Sequence, residues 1–213
     1  MQHEYTGIYQ RLFAHYGPQG WWPAETPFEM MIGAILVQNT NWRNVEKALV
    51  TLGAKLDPET IDKMSAEELA PLIKSSGFFN LKARRIKAFI DWFKQYQFSI
   101  NQLKKKDKEA LRAELIKVYG IGRETADCIL LYALEKPVFV VDAYTRRIFY
   151  RIGYDMPVSY DRFKEIVEQH FPGEVMIYNE FHALLVAHAK QFCRVKPVCT
   201  NCPLLEICQQ RVE

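Results

Sequence analysis

The sequence lacks the features that place a protein in or across a membrane. No segment approaches the roughly eighteen consecutive apolar residues of a transmembrane helix. The first residues, MQHEYTGIYQRLF, also lack the basic and then apolar pattern of a secretory signal. We therefore expect no membrane association and a cytoplasmic location, where structural disulfides are rare.

Strong net charge and strand-like patterns are also scarce. The formal net charge of +3 neither requires nor excludes a nucleic-acid partner. One run, PVFVV at 137–141, resembles a strand, and it is too short to build a sheet. Elsewhere apolar residues recur with helical spacing, and Thr26, Asp107 and Ser159 precede helical segments as N-caps. The sequence therefore predicts an all-α protein.

Cysteine is rare except at the end of the chain. Four of the five cysteines fall in the segment FCRVKPVCTNCPLLEIC, separated by five, two and five residues. They are Cys193, Cys199, Cys202 and Cys208. Four thiolates in so short a segment favour one metal centre, and cysteine sulfur suits both zinc and an iron–sulfur cluster. The spacing alone leaves these two alternatives open.

Residues 118–127 read VYGIGRETAD, where two glycines separate two helical patterns. Glycine permits positive φ and a close backbone approach, and the N-terminus of the next helix suits a phosphate. Such a Gly-x-Gly pattern is common in ordinary turns, so it gains meaning only from the residues downstream of it. Asp142 comes after the apolar run at 137–141 and before an arginine-rich segment, which it is expected to cap.

The hairpin at 119–122, the aspartate at 142 and the terminal cysteines together resemble the endonuclease III superfamily of DNA base-excision glycosylases. The resemblance covers residues from about 20 to 208. It implies that Asp142 is the catalytic carboxylate and that the four cysteines hold a [4Fe–4S] cluster. The residues implied to grip the DNA backbone are Tyr119, Gly120, Ile121, Gly122 and Arg123. One departure is the five-residue gap between the first two cysteines, where the compared members have six.

The resemblance also implies two helical lobes. The first is a helical barrel at 24–136 that carries the helix-hairpin-helix, and the second joins 1–23 to 137–213. The second lobe would carry Asp142 and the cysteines, with the active site in the cleft between the lobes. The implied partner is double-stranded DNA with a damaged base, and we expect a monomer associated with the nucleoid.

Glu124 determines which reaction the resemblance implies. In the bifunctional members of the family, a lysine two residues after the second hairpin glycine forms a Schiff base with the sugar. A carboxylate cannot form that bond, so we expect base removal without strand cleavage. Glu124 also lies in the first turn of its helix, where the helix dipole favours an acid.

The stretches GWWP and VQNTNW supply aromatic residues for a flipped base. The predicted base pocket contains Trp21, Trp22, Pro23, Trp42 and Glu124. Electron-rich indole rings favour a cationic base through cation–π attraction. The WWP and QNT patterns with Glu at 124 resemble the 3-methyladenine glycosylase branch, which implies an N-alkylated purine as the substrate. Some members of that branch lack the cysteine cluster.

The loop SSGFFN resembles the wedge loop of the family. We expect Phe78 or Phe79 to enter the gap left by the flipped base, or Gln38 to fill it. Lys82 and Arg84 follow this loop and are expected to contact phosphates, which position a protein without reading sequence.

Two alternatives remain open from the sequence. One is another glycosylase of the same family, acting on uracil or on mismatched thymine. The other is a non-catalytic protein that uses the helix-hairpin-helix only to bind DNA.

Overall fold

The computed structural model describes residues 5–157, 159–171 and 173–211. All regular secondary structure in these ranges is helical, which confirms the all-α prediction. The α-helices are α1 (Tyr5–Tyr16), α2 (Pro27–Leu36), α3 (Trp42–Leu52), α4 (Pro58–Lys63), α5 (Ala66–Leu69), α6 (Phe79–Lys94), α7 (Ile100–Lys105), α8 (Lys108–Lys117), α9 (Arg123–Cys128), α10 (Ala143–Ile152), α11 (Tyr160–His170) and α12 (Val175–Gln191). Three 3₁₀ segments lie at Gly53–Lys55, Ala70–Ser76 and Leu205–Ile207, and a π-helical segment at Ile129–Ala133 continues α9.

The chain divides into two compact units. Unit 1 comprises Met1–Trp22 with Pro137–Glu213, and unit 2 comprises Pro23–Lys136. The sequence placed the lobe boundaries at 23/24 and 136/137.

Side-chain caps start the helices where the sequence indicated. The Thr26 hydroxyl accepts from the Glu29 backbone N–H at 3.1 Å, and an Asp107 carboxylate oxygen accepts from that of Ala110 at 2.9 Å. Ser159 caps α11 in the same way. Each cap satisfies one of the N–H groups that a helix leaves without an intrahelical partner.

The core of unit 2 surrounds α2. Nearly every residue of this helix is buried, because it packs against α3, α6, α9 and the π-helical segment. Phe89 and Phe93 of α6 add a stacked aromatic pair with ring centroids 6.0 Å apart. Fully burying such a side chain stabilises a fold by roughly 1.5–3 kcal/mol. The amphipathic stripe of α6 is thus turned inward.

The core of unit 1 is formed by α1, α10 and α12. Phe149 lies at its centre, with Phe163, Phe181 and Tyr5 at ring-centroid distances of 5.4, 6.4 and 5.5 Å. The start of α10 is thereby fixed to a rigid aromatic core.

Residues 138–141 of the strand-like run are buried, and the run joins no sheet in the described ranges. Two of its backbone donors bond to side chains. A Glu168 carboxylate oxygen accepts from the Phe139 N–H at 2.8 Å, and the Tyr160 hydroxyl oxygen accepts from the Val141 N–H at 3.2 Å. This segment leads directly into Asp142.

Among the described residues, none of the helices combines the length and apolar character that crossing a bilayer requires.

Candidate active site and DNA-binding hairpin

Asp142 is the N-cap of α10, as the sequence predicted. Its Oδ1 accepts from the Thr145 backbone N–H at 2.7 Å, and its Oδ2 lies 3.5 Å from His182 Nε2. Burial alone would raise the pKa of Asp142. The hydrogen bond and charge of His182, together with the Thr145 donor, hold that pKa below its ordinary value. Asp142 therefore stays ionised in a site where its side chain is only 13% exposed.

His182 is a candidate site residue that the sequence analysis missed. It lies on α12 with 3% of its surface exposed, and its ring centroid is 5.4 Å from that of Trp21. In the sequence it lies within the apolar run FHALLVAH, a pattern that predicts a histidine packed in the protein core. Its role becomes visible only when α12 packs against α10 and brings it to Asp142.

Trp21 and Trp22 form an aromatic surface in unit 1. Their rings stack with centroids 5.1 Å apart and planes inclined by 22°, and both residues are half-buried. Trp21 contacts the His182 ring, so these tryptophans, His182 and Asp142 form one connected group.

The other predicted pocket residues belong to unit 2. Pro23 is exposed, and Trp42 is half-buried as the first residue of α3. Glu124 is exposed in the first turn of α9. Their part in a base pocket stays a prediction.

The hairpin, Tyr119–Gly122, joins α8 to α9. Gly120 has φ +83°, and the Ile121 N–H donates to the Val118 carbonyl at 3.0 Å to close the turn. Ile121 is buried, whereas Tyr119 is 56% exposed and Gly122 and its neighbour Arg123 are exposed. The hairpin thus presents its flanks to solvent while Ile121 holds it to the core.

Gln38 contacts the hairpin from the end of α2. Its Nε2 donates to the Gly120 carbonyl and to the Thr125 hydroxyl, both at 3.0 Å. Its Oε1 accepts from Arg85 Nη1. The amide predicted to fill a gap in DNA is therefore engaged within unit 2.

The prediction that Lys82 contacts DNA is wrong. Its side chain is fully buried, and Nζ donates to the Leu36 carbonyl at 2.7 Å and to the Ser76 carbonyl at 2.6 Å. Burial, with a smaller contribution from Arg85, lowers the pKa of Lys82 to about 8. Lys82 satisfies one carbonyl at the end of α2 and one at the end of the 3₁₀ segment Ala70–Ser76, because helix termini leave such groups without backbone partners.

The wedge loop presents one aromatic side chain to solvent. Phe78 is 67% exposed and has φ +47°, whereas Phe79 is half-buried as the first residue of α6. Arg84 is exposed on the same helix. These positions leave Phe78 and Arg84 accessible to a nucleic acid.

The four terminal cysteines line one cavity of about 210 Å³ in unit 1. Burial and the neighbouring cysteine sulfurs raise the pKa of the Cys202 and Cys208 thiols. Within the described ranges, no three cysteine, histidine or acidic side chains converge closely enough to hold a single metal ion.

Neighbouring groups shape this cavity. Arg151 Nη1 lies 3.5 Å from Cys193 Sγ, and its Nη2 donates to the Val195 carbonyl at 3.0 Å. His188 Nε2 lies 3.8 Å from Cys202 Sγ. Hydrogen bonds to cysteine sulfur are a means by which proteins tune iron–sulfur centres.

Comparison with known proteins identifies the family. The model of the HhH-GPD superfamily of base excision DNA repair proteins matches residues 32–172. A Methanocaldococcus jannaschii protein named as a provisional DNA repair glycosylase is 47% identical over 206 residues, covering 94% of each chain. Endonuclease III from Thermotoga maritima is 28% identical over 185 residues, covering 86% of this chain and 83% of its own.

A solved structure shows the same fold. The 3-methyladenine DNA glycosylase of H. pylori, bound to 1,N6-ethenoadenine, superimposes with a TM-score of 0.76 and is 27% identical. The match covers 86% of this chain and 96% of that one. The chain therefore belongs to the HhH-GPD superfamily of base excision DNA repair proteins, as an endonuclease III-like DNA glycosylase.

Proposed function

We propose that the protein removes an N-alkylated purine such as 3-methyladenine from double-stranded DNA and leaves the abasic strand intact. The observation that carries this proposal is the ionised Asp142 held by His182 beside the stacked Trp21 and Trp22. The likeness to a 3-methyladenine glycosylase supports the choice of substrate.

Asp142 supplies the electrostatic part of the reaction. Cleavage of an N-glycosidic bond builds positive charge on the sugar, as in other reactions with an oxocarbenium-like transition state. The Thr145 N–H and His182 fix the carboxylate before that charge develops, so little reorganisation is needed. Asp142 can also orient or deprotonate the attacking water. Removal of one such preorganised group typically costs about 10²–10³ in rate.

The tryptophans would offset the cost of base flipping. Extruding a base costs a few kcal/mol, least where the base is damaged or mispaired. Stacking of a base on an aromatic side chain contributes about 1–3 kcal/mol. An alkylated purine carries positive charge, so it gains cation–π attraction on an indole face as well. It also leaves without a general acid, which fits a site built on one carboxylate.

Glu124 supports hydrolysis without strand cleavage. Its carboxylate stands where the bifunctional relatives would need an amine, and it is exposed in the first turn of α9. Lys117 and Lys190 are exposed at the ends of α8 and α12. A lysine nucleophile is activated by desolvation in an apolar pocket, and these exposed side chains do not lie in one.

DNA would be held through the backbone and the wedge loop. The hairpin approaches a phosphate with its exposed Gly122 and Arg123, and Arg84 meets another. Phe78 occupies the space that the flipped base vacates. Binding through phosphates predicts an affinity that falls steeply with salt.

The terminal cysteines would hold the [4Fe–4S] cluster that the family resemblance implies. They line one cavity of about 210 Å³, and cysteine sulfur is a ligand for both iron–sulfur clusters and zinc. A bound cluster would supply four metal–thiolate bonds that tie Cys193, Cys199, Cys202 and Cys208 together. Arg151 and the His188 ring then contact two of the sulfurs.

Single-turnover base release tests the proposed function. Duplexes containing 3-methyladenine, uracil or mismatched thymine are incubated with the wild type and with Asp142→Asn, and free base is measured. We expect release of the methylated purine by the wild type and a loss of at least about a hundredfold in the variant. Release from the uracil or thymine duplexes alone would show that the proposed substrate is wrong, while the assignment to the family would stand. No release from any duplex would overturn the enzymatic assignment.

A further inference from the structure

Three hydrogen bonds converge on the side-chain amide of Gln38. Nε2 uses both of its protons, one on the Gly120 carbonyl and one on the Thr125 hydroxyl, each at 3.0 Å. Oε1 accepts from Arg85 Nη1. Because an amide offers two donors on nitrogen and an acceptor oxygen, these contacts occupy both protons and one lone pair. Gln38 thus joins the hairpin, the helix that comes after it and α6.

The side-chain stem of Arg85 packs against Gly120 of the hairpin. A Cβ atom at Gly120 would lie 2.1 Å from Arg85 Cγ and 2.4 Å from Cδ. The arginine stem therefore lies across the space that a side chain at residue 120 would fill. Together with φ +83° at this residue, that contact requires glycine. Arg85 is half-buried, and its guanidinium donates to the Gln38 side-chain oxygen.

We propose that Gln38 and Arg85 form a polar brace that holds the hairpin in its DNA-binding shape. This inference rests on the proposed function, in which the hairpin contacts DNA. The brace fixes the Gly120 carbonyl from outside the hairpin, so the backbone on either side of it is oriented before DNA arrives. Preorganisation of this kind raises affinity by reducing the ordering that binding requires. Gln38 and Arg85 are positioning residues.

The brace assigns Gln38 a different task from the filling of a gap in DNA. To enter the duplex, the amide would have to break its bonds to Gly120, Thr125 and Arg85. Buried and half-buried donors and acceptors would be left without partners, which is unfavourable. Phe78, at 67% exposure, is available for the gap without such a loss.

The two roles predict different responses to the DNA structure. A brace acts on every duplex, since it shapes a contact with the backbone. A gap-filling residue acts only where a nucleotide has been displaced. Binding of the whole protein should therefore be measured on two matched duplexes, one undamaged and one containing a tetrahydrofuran abasic analogue.

Gln38→Ala is the first variant. Because the hairpin would then have to be ordered during binding, we expect roughly tenfold weaker binding to both duplexes. Amide hydrogen exchange of Ile121, whose N–H closes the hairpin, should become faster.

A second set of variants isolates the hydrogen bonds from folding. Thr125→Val removes the acceptor at nearly constant volume, whereas Thr125→Ser retains it. We expect Thr125→Val to weaken binding to both duplexes. Thr125→Ser, which keeps the hydroxyl acceptor, should bind both duplexes about as tightly as the wild type. Arg85→Gln should accelerate Ile121 exchange. Arg84→Gln removes the same charge from the exposed face of α6, and should weaken DNA binding without changing that exchange.

Each outcome decides the inference. Loss on both duplexes with faster hairpin exchange supports the brace. Loss confined to the abasic duplex, with unchanged exchange, assigns Gln38 to the gap and overturns it. Wild-type affinity in Gln38→Ala also overturns it. Failure of the wild type to bind either duplex would instead refute the proposed function, so the two failures are distinguishable.

Discussion

Replacement of His182 by leucine tests whether this histidine holds Asp142 in its active form. The two side chains are 3.5 Å apart, and they are only 4% and 13% exposed, so solvent screens their interaction weakly. Hydrogen bonds to charged groups contribute about 1.5–3 kcal/mol. We therefore expect His182→Leu to slow single-turnover base release by roughly tenfold to a hundredfold at neutral pH.

The pH dependence of base release shows in which direction His182 shifts the pKa of Asp142. The wild-type pKa of Asp142 is lowered, since His182 and Thr145 outweigh the burial that would raise it. The ionised carboxylate thus persists in acid, and activity falls only as pH drops through that lowered pKa. Without His182 the burial is no longer opposed to the same degree. The acid limb of the profile should therefore move to higher pH.

Two controls separate this role from simple packing. His182→Gln keeps a hydrogen-bond donor in a similar volume and should recover part of the rate. In an Asp142→Asn background, His182→Leu should have little further effect, because residues that act as a unit are not additive. An equal loss in both backgrounds, or an unmoved acid limb, would refute the role of His182.

Three further changes test the wedge loop, the buried lysine and the cysteines. Phe78→Ala should leave thermal stability unchanged, because this side chain is 67% exposed. It should weaken binding to an abasic duplex roughly tenfold more than binding to an undamaged one. Equal losses of affinity would show that Phe78 does not fill the gap. Lys82→Met should lower the free energy of unfolding by about 1–3 kcal/mol, since the carbonyls of Leu36 and Ser76 lose their donor. Because the folded-state pKa of Lys82 is lowered to about 8, the wild type should gain stability relative to Lys82→Met as pH rises from about 8 to about 10 in chemical denaturation; a flat difference would contradict the burial of a charged lysine. Cys202→Ser should reduce iron and acid-labile sulfide per chain and the visible absorbance of the purified protein; zinc in place of iron in the wild type would refute the cluster.

Local chemistry made the helix starts predictable. Thr26, Asp107, Ser159 and Asp142 each cap a helix where the sequence placed one, because capping depends on residues three positions apart. The all-α class came from the same short-range periodicity.

Lys82 was misassigned because its charge was given more weight than its position. It precedes Ile86 by four residues and Phe89 by seven, so helical spacing already places it on the buried stripe of α6. The sequence contained this information. Nothing local, however, indicated the carbonyls of Leu36 and Ser76 that receive its ammonium.

The contacts of Gln38 and His182 depend on the tertiary fold. Gln38 bonds to residues 82 and 87 positions away, and Asp142 meets His182 across two helices. A glutamine after a buried helix and a histidine in an apolar one are compatible with many surroundings. Only the packing of α2 against α6 and α9, and of α10 against α12, selects among them.

Hydrolysis without strand cleavage is tested most directly when base and strand are measured in the same reaction. Duplex DNA containing 3-methyladenine at one position is incubated with the wild type, and free base and strand breaks are scored separately, with borohydride present in a parallel sample. We expect stoichiometric release of the base, an intact abasic strand, no covalent adduct, and loss of release in Asp142→Asn. Strand cleavage with a borohydride-trapped adduct would contradict the proposed reaction, because a lysine would then be the nucleophile.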